Sequence, residues 1–329
     1  MDTKELKAII EEVLAEMNVG EETTAEEETL KKESKDEAKP VEEEVKADVT
    51  ETTSQEEAAK EEHNPTESDY EEVIEDGSLE DITAIDIKDQ YLVKEPLDRE
   101  GFYELKQFAP CRLGIGKAGA RYNTLPQLMF RAAHSAAQDA VFSDVDQDFV
   151  DGLDLFTIQS RCDSKDTYLT RPDLGRRLSE EAVETVKEKC DKNPTVQVYV
   201  SDGLSSAAVA ANTEDVLSGL LQGLKSNGIK VGTPFFLKYG RVGAMDEISE
   251  ITGADVTCVL IGERPGLITA TSMSAYIVYK GTIGMPEARR TVVSNIHSAG
   301  TIPAEAGAHI AEVIKIMLEK KASGTDLKL

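Results

Sequence analysis

Apolar positions fall into three textures along this chain. Between residues 4 and 17, Leu6, Ile9, Ile10, Val13, Leu14 and Met17 recur at i, i+3, i+4, i+7, i+8 and i+11. That spacing predicts one face of an α-helix, stopped by Gly20. Residues 20–79 are Glu, Thr, Lys, Ser and Ala, with almost no large apolar side chain between Leu30 and Tyr70. Such a stretch cannot bury enough surface to offset chain entropy, so the pattern predicts a disordered, self-repelling linker. An isolated helix of about 14 residues is marginal in water, and its apolar stripe needs a partner. Carried on a long tether, it has the layout of a docking peptide; folding back on the chain's own core is the alternative.

From about residue 80 polar and apolar residues mix. Thr124-Leu125-Pro126 reads as a cap with proline in the first turn, opening a helix that ends near Asp144 and buries Leu128, Ala132, Ala136 and Val141. A second helix is expected over Leu178–Lys189, and residues 80–192 as a whole read as mainly helical. Beyond 193 the pattern alternates. Val196–Val200 is strand-like and leads into an Ala-rich helix, followed by a helix over 213–226. Strand Pro234–Leu237 precedes a helix over Val242–Ile251 stopped by Gly253. Strands Val256–Ile261 and Ala275–Tyr279 follow, with a last helix from Pro303. Strands apolar throughout, alternating with amphipathic helices, predict an α/β fold with a mostly parallel sheet covered on both faces. Ligands of such sheets sit at the carboxyl ends of the strands.

Charge sharpens the division. The 329 residues carry a formal net charge of −27, but residues 1–80 hold 29 Asp/Glu against 8 Lys/Arg, leaving the remainder nearly balanced. No Lys/Arg-rich run offers phosphate backbones a footprint, which excludes nucleic-acid binding. No apolar stretch approaches the roughly 20 residues of a membrane span, and the charged N-terminus lacks the apolar core of a secretory signal. Cys111, Cys162, Cys190 and Cys258 are scattered with no CxxC pair, so zinc and disulfides are not expected and a reducing cytosol is.

Candidate chemistry is sparse. Ser201-Asp202-Gly203-Leu204-Ser205-Ser206 joins a strand to a helix, either as a tight turn with serine caps or as an anion cradle of backbone N–H groups. GxGxxG with a downstream acid and GxxxxGK[ST] are both missing, so dinucleotide and P-loop chemistry fall away. Glu263-Arg264-Pro265-Gly266-Leu267 follows directly on a strand. Its Glu–Arg pair could grip an amide- or hydroxyl-rich ligand, or form a surface salt bridge. Arg171, Arg176 and Arg177 surround Asp173: an anion site, or an aspartate cap with arginines along the helix flank. His63, His134, His297 and His309 make no metal-ligand spacing, and no catalytic set is evident. A hydrolase using Ser205 would need a base that the sequence does not offer. The residues describe a ligand-binding subunit whose partner supplies the chemistry.

Tyr168-Leu169-Thr170-Arg171-Pro172-Asp173-Leu174-Gly175-Arg176-Arg177-Leu178, Ser201–Ser205, Gly240-Arg241-Val242, Gly262–Leu267 and Ser294-Asn295-Ile296-His297, in this order over roughly 115–325, resemble the small (light) subunit of ethanolamine ammonia-lyase. The resemblance implies a subunit of an adenosylcobalamin-dependent ammonia-lyase converting ethanolamine to acetaldehyde and ammonia by a radical 1,2-amino migration and elimination. It implies a Rossmann-like C-terminal domain (193–329) that walls the cobalamin against a large catalytic subunit, with no catalytic or metal-ligating residue of its own. Family cofactor contacts fall on Val242, Glu263 and Val292, the last standing where the family typically has cysteine. The three arginines at 171–177 become candidates for the inter-subunit surface. The helix within residues 1–19 resembles peptides that load enzymes into bacterial microcompartments, which implies that location and a shell or cargo partner for residues 4–17. The rival reading is a cofactor-free adaptor that tethers other enzymes through the same helix.

Overall fold

A computed structural model describes Ile82, residues 88–109 and residues 111–328. The helix expected at 4–17 and the linker at 20–79 lie outside the described residues. Contacts divide the chain between Glu75 and Asp76, and every element below belongs to the second unit.

Helices α1 (Arg99–Phe108) and α2 (Thr124–Phe142) come first, separated by a short hairpin of β1 (Lys117–Ala118) and β2 (Arg121–Tyr122). α2 opens one residue after Asn123, whose carbonyl accepts from Gln127 N at 3.1 Å. Its buried face differs from the expected one. Met129 and Ala140 point inward, whereas Leu128 is 46% exposed. Two apolar stripes compete on this helix, and periodicity cannot say which of them meets the body of the protein. Leu125, Leu128 and Phe142 are left open.

Next come α3 (Gln147–Gly152), strand β3 (Phe156–Gln159), α4 (Lys165–Thr170) and α5 (Glu180–Lys189). The stretch 80–192 thus supplies a strand as well as helices, and that strand joins the sheet built by the rest of the chain. Ser179, not Asp173, caps α5, its Oγ accepting from Ala182 N at 3.1 Å. The alternation then unfolds as β4 (Val196–Ser201), α6 (Ser206–Ser226), β5 (Phe235–Lys238), α7 (Ala244–Thr252) and β6 (Val256–Gly262). It closes with β7 (Met273–Tyr279), β8 (Thr291–Ile296) and α8 (Pro303–Lys320). The two helices expected between residues 205 and 226 are one unbroken helix.

The six strands lie in the order β3-β5-β4-β6-β7-β8. β3/β5, β5/β4 and β4/β6 pair parallel, and β6/β7 and β7/β8 pair antiparallel, so β7 alone runs against its neighbours. On one face Val198, Val200, Cys258, Leu260 and Ala275 meet the inner sides of α6 and α8 through Val216, Leu220, Leu224, Ile310, Ile314 and Met317. On the other, Tyr199, Phe235, Leu237, Val259 and Ile261 pack with Ala182 and Val186 of α5 and Met245 and Ile248 of α7. Both faces of β4 and β6 are buried, which explains their largely apolar sequences, with Gln197, Ser201 and Thr257 the buried polar exceptions.

From β4 the chain passes through α6 to β5 on one side. From β5 it returns through α7, across β4, to β6 on the other. The connections leaving β4 and β6 therefore diverge, opening a crevice at their carboxyl ends where such sheets receive ligands.

Candidate functional site

Two glycines floor this crevice. Gly203, in the turn after β4, has φ 56°, a backbone region that costs an L side chain roughly 1–2 kcal/mol. A Cβ there would collide with the Gly262 carbonyl oxygen and lie 2.5 Å from Ile261 Cγ1. A Cβ on Gly262 would in turn strike the Ser205 carbonyl oxygen and lie 2.6 Å from that of Asp202. The two backbones touch, and Leu204 N donates to Gly262 O at 3.0 Å. Ser205 caps α6, accepting from Ala208 N at 3.0 Å and donating to Ala270 O at 2.6 Å. That occupies its hydroxyl structurally and removes it as a nucleophile; the turn is the serine-capped one.

Asp202 ties the two sides of the crevice together. Only 1% exposed, its carboxylate accepts from Gly203 N and from Tyr239 N, each at 3.0 Å. Burial outweighs these bonds and raises its pKa to about 6. Tyr239 sits at φ 58°, an uncommon conformation for a bulky residue, held by this bond and by its hydroxyl donating to Asp144 at 3.1 Å. The chain emerges from it as Gly240-Arg241-Val242.

Around the floor stand Tyr168, Leu204, Arg241, Val242, Ile261, Glu263, Arg264 and Tyr276, enclosing about 380 Å³. The crevice thus brings together Val242 and Glu263, both picked out in the sequence. Glu263 points its carboxylate back along the sheet, accepting from Ser272 Oγ at 2.7 Å and from Ser274 Oγ. It makes no ion pair with Arg264, so the surface-salt-bridge alternative is excluded. Val292 does not line the crevice; it lies on β8 in register with Tyr276, which does, and is 45% exposed. Directly paired residues share a sheet face, so Val292 extends the wall by one strand.

The Tyr168–Leu178 segment braces this wall from outside. Arg241 N donates to Gly175 O at 2.7 Å, and the Arg241 guanidinium lies 4.2 Å from the Tyr168 ring centroid while donating to Tyr168 O at 2.8 Å. Arg177 pairs with Glu247 at 3.3 Å, and the same carboxylate accepts from Leu178 N at 2.7 Å, fixing α7's first turn. Arg171 pairs with Asp173 at the surface, and Arg176 is exposed with no ion pair among the described residues.

The loop from Glu263 to Ser272 is pinned along its length. Glu263 N donates to Ser272 O and Gly266 N to Thr269 O, each at 2.9 Å. Arg112 reaches Leu267 O at 2.6 Å and Asn212 reaches Thr271 O at 2.8 Å. Sequence reasoning missed Tyr168, Arg241 and Tyr276 as lining residues, and the serines that orient Glu263. Their signal is long-range pairing between strands, which spacing along the chain does not carry.

Among the described residues no three His, Cys, Asp or Glu side chains gather as a metal site, and no helix is long and apolar enough to cross a membrane. His297 is buried, its ring accepting from Ala299 N at 3.2 Å.

The chain matches the family model for the ethanolamine ammonia-lyase light chain (EutC) over residues 99–328. It is 61% identical over 264 residues to the ethanolamine ammonia-lyase small subunit of Fusobacterium nucleatum, covering 80% of this chain and 90% of that one. The subunit of the same name from Clostridium perfringens is 60% identical over 257 residues, 78% of this chain and 87% of that one. That of Listeria monocytogenes is 57% identical over 264 residues, with 80% and 90% covered. The motifs that build the crevice fall inside the matched span, and the chain belongs to the ethanolamine ammonia-lyase small-subunit family.

Proposed function

We propose that this chain is the small subunit of an adenosylcobalamin-dependent ethanolamine ammonia-lyase, and that the crevice between β4 and β6 forms one wall of the corrinoid site, used as Rossmann-like folds use theirs. One observation carries the reading: Val242 and Glu263, from separate motifs, line a single crevice at the sheet's switch point, over a floor of bare backbone.

The residues suit the group. A corrin is an apolar disc rimmed by amides and is larger than a crevice of about 380 Å³. One edge of it could enter, and a second polypeptide would cover the rest. Glu263, oriented by two serines, keeps acceptor capacity for an amide N–H. Val242, Tyr276 and, one strand further out, Val292 supply apolar surface; at 292 valine meets a contact made through packing or backbone but not one needing a thiol. When bound, the cofactor supplies radical chemistry through its cobalt–carbon bond. The part of this chain is to bind, orient and shield it, while the substrate is held by the large subunit. The open apolar residues of α2 and the exposed Arg176 support a partner surface on the same chain.

The test is retention of colour. The pair co-expressed with its large subunit, loaded with cobalamin, should keep a red corrinoid through gel filtration. A colourless, stable pair would leave the adaptor reading in its place. Deleting residues 1–19 should abolish co-localisation with a microcompartment shell and leave ammonia-lyase activity intact; unchanged localisation would remove the targeting role.

A further inference from the structure

The crevice carries more positive charge than the amide rim of a corrin requires. Its charged lining is Arg241, Arg264 and Glu263, and both oxygens of that one carboxylate accept from serine hydroxyls. The part of the chain beyond residue 80 is nearly balanced in charge, so a cleft lined by two arginines and one engaged acid is locally positive.

The two arginines are placed differently. Arg241 is immobilised by the stack on Tyr168 and the bond to its carbonyl, yet its Nε is buried with no hydrogen-bond partner among the described residues. That nitrogen is sealed off, and Arg241 lines the crevice with other parts of its side chain. Arg264 stands on the opposite rim, exposed and without an ion pair among the described residues, on a loop whose backbone is held at both ends and in the middle. It also lines a second cavity of about 530 Å³ between that loop and α2, bordered by His134, Gln138 and Phe142. The two cavities meet at Arg264.

We propose that Arg241 and Arg264 form an anion seat for the phosphodiester of a corrinoid's nucleotide loop, the groove along α2 taking the adjoining ribose and base. Guanidinium groups bind phosphate oxygens through paired, charge-assisted hydrogen bonds, which suits one fixed and one adjustable arginine lining the same crevice. The inference rests on the corrinoid reading above and adds which part of the ligand each side of the loop recognises.

The co-expressed complex, stripped of corrinoid, is titrated by absorbance with cyanocobalamin and with dicyanocobinamide, which keeps the corrin and its amides but lacks the nucleotide loop. The wild-type complex should prefer cyanocobalamin by about 10-fold or more. Arg264→Gln should erase roughly 10-fold of that preference while cobinamide affinity moves less than about 2-fold, and Arg264→Lys should restore part of it. Inorganic phosphate should compete with cyanocobalamin on the wild type and lose that effect in Arg264→Gln. Because Arg241 is packed, Arg241→Lys serves as its milder variant and should act on the same ratio. Equal weakening of both ligands, or no change in either, overturns the phosphodiester assignment. A wild-type complex that binds neither ligand overturns the corrinoid reading with it.

Discussion

Replacing Gly262 with alanine tests the contact on which the crevice is built. A methyl there overlaps the Ser205 carbonyl oxygen and sits 2.6 Å from that of Asp202, where ordinary contact begins at 3.4 Å. Both neighbours are backbone, fixed by the α6 cap and by β4, so the turn must withdraw as a unit, by about 0.8 Å to clear the Asp202 oxygen and further to clear that of Ser205. Overpacking of this kind costs about 1–3 kcal/mol, and losing the Leu204–Gly262 hydrogen bond adds about 1 kcal/mol. A total of about 3 kcal/mol lowers the melting temperature by about 6–12 °C in a domain of this size. Gly203→Ala meets a similar clash and also the left-handed backbone, and should lose a further 1–2 kcal/mol, roughly. Gly266, four residues further along the same loop, is the control: a Cβ there meets nothing nearer than Thr269 O at 3.9 Å, so Gly266→Ala should stay within about 0.5 kcal/mol. Thermal unfolding of the three variants, followed by circular dichroism, gives the ranking. If Gly262→Ala melts within 2 °C (roughly the assay's scatter) of the wild type, or Gly266→Ala falls as far, the backbone contact is not what shapes the floor.

Three other outcomes follow from the same geometry. Glu263→Gln keeps the side chain's shape but halves its acceptor capacity; cyanocobalamin affinity of the complex should fall roughly 10-fold with melting little changed, and an unaltered titration would take Glu263 out of the ligand contact. Arg290, 2% exposed, pairs with buried Asp246 at 2.7 Å, so Arg290→Met strands that carboxylate and should cost about 3–5 kcal/mol in urea unfolding, partly recovered by adding Asp246→Asn. Asp202, with burial holding its pKa at about 6, keeps a proton in the folded chain between about pH 4 and 6 that the unfolded chain has released. Its contribution to stability therefore grows as pH falls through 6 and levels off below 4, so wild type should gain up to about 3 kcal/mol on Asp202→Asn between pH 7 and 4, and a pH-independent difference would refute the raised value.

Strands β4 and β6 were legible because both faces are buried and their positions are predominantly apolar and β-branched, and α8 because Pro303 and its apolar stripe mark it. β3 and β8 were not. Phe156-Thr157-Ile158-Gln159 is four residues long on one edge of the sheet, and Thr291–Ile296 on the other edge carries Ser294 and Asn295 outward. Edge strands answer to one neighbour and to water, so their sequences lack a strong period. At the site, Glu263 could be picked out because it follows directly on a strand end, and Val242 through the family resemblance carried by Gly240-Arg241-Val242. Their meeting in one crevice followed only from that resemblance, because spacing along the chain does not say that β4 lies between β5 and β6. The ties of Glu263 to Ser272 and Ser274 follow from antiparallel register, and the expectation of a mostly parallel sheet does not say which strand is reversed.

The reversed direction of β7 has an evolutionary corollary. Because β7 doubles back along β6, the segment between Glu263 and Ser272 leaves and rejoins the sheet at the same edge, with no helix to ferry it to the far side. Only the tip of the segment, around Leu267 and Ile268, is free of α6; its return at Ala270 and Thr271 is moored to Ser205 and Asn212 of that helix and its cap. A change of length at the tip therefore leaves both covering layers where they are, while one nearer Ser272 would pull on α6.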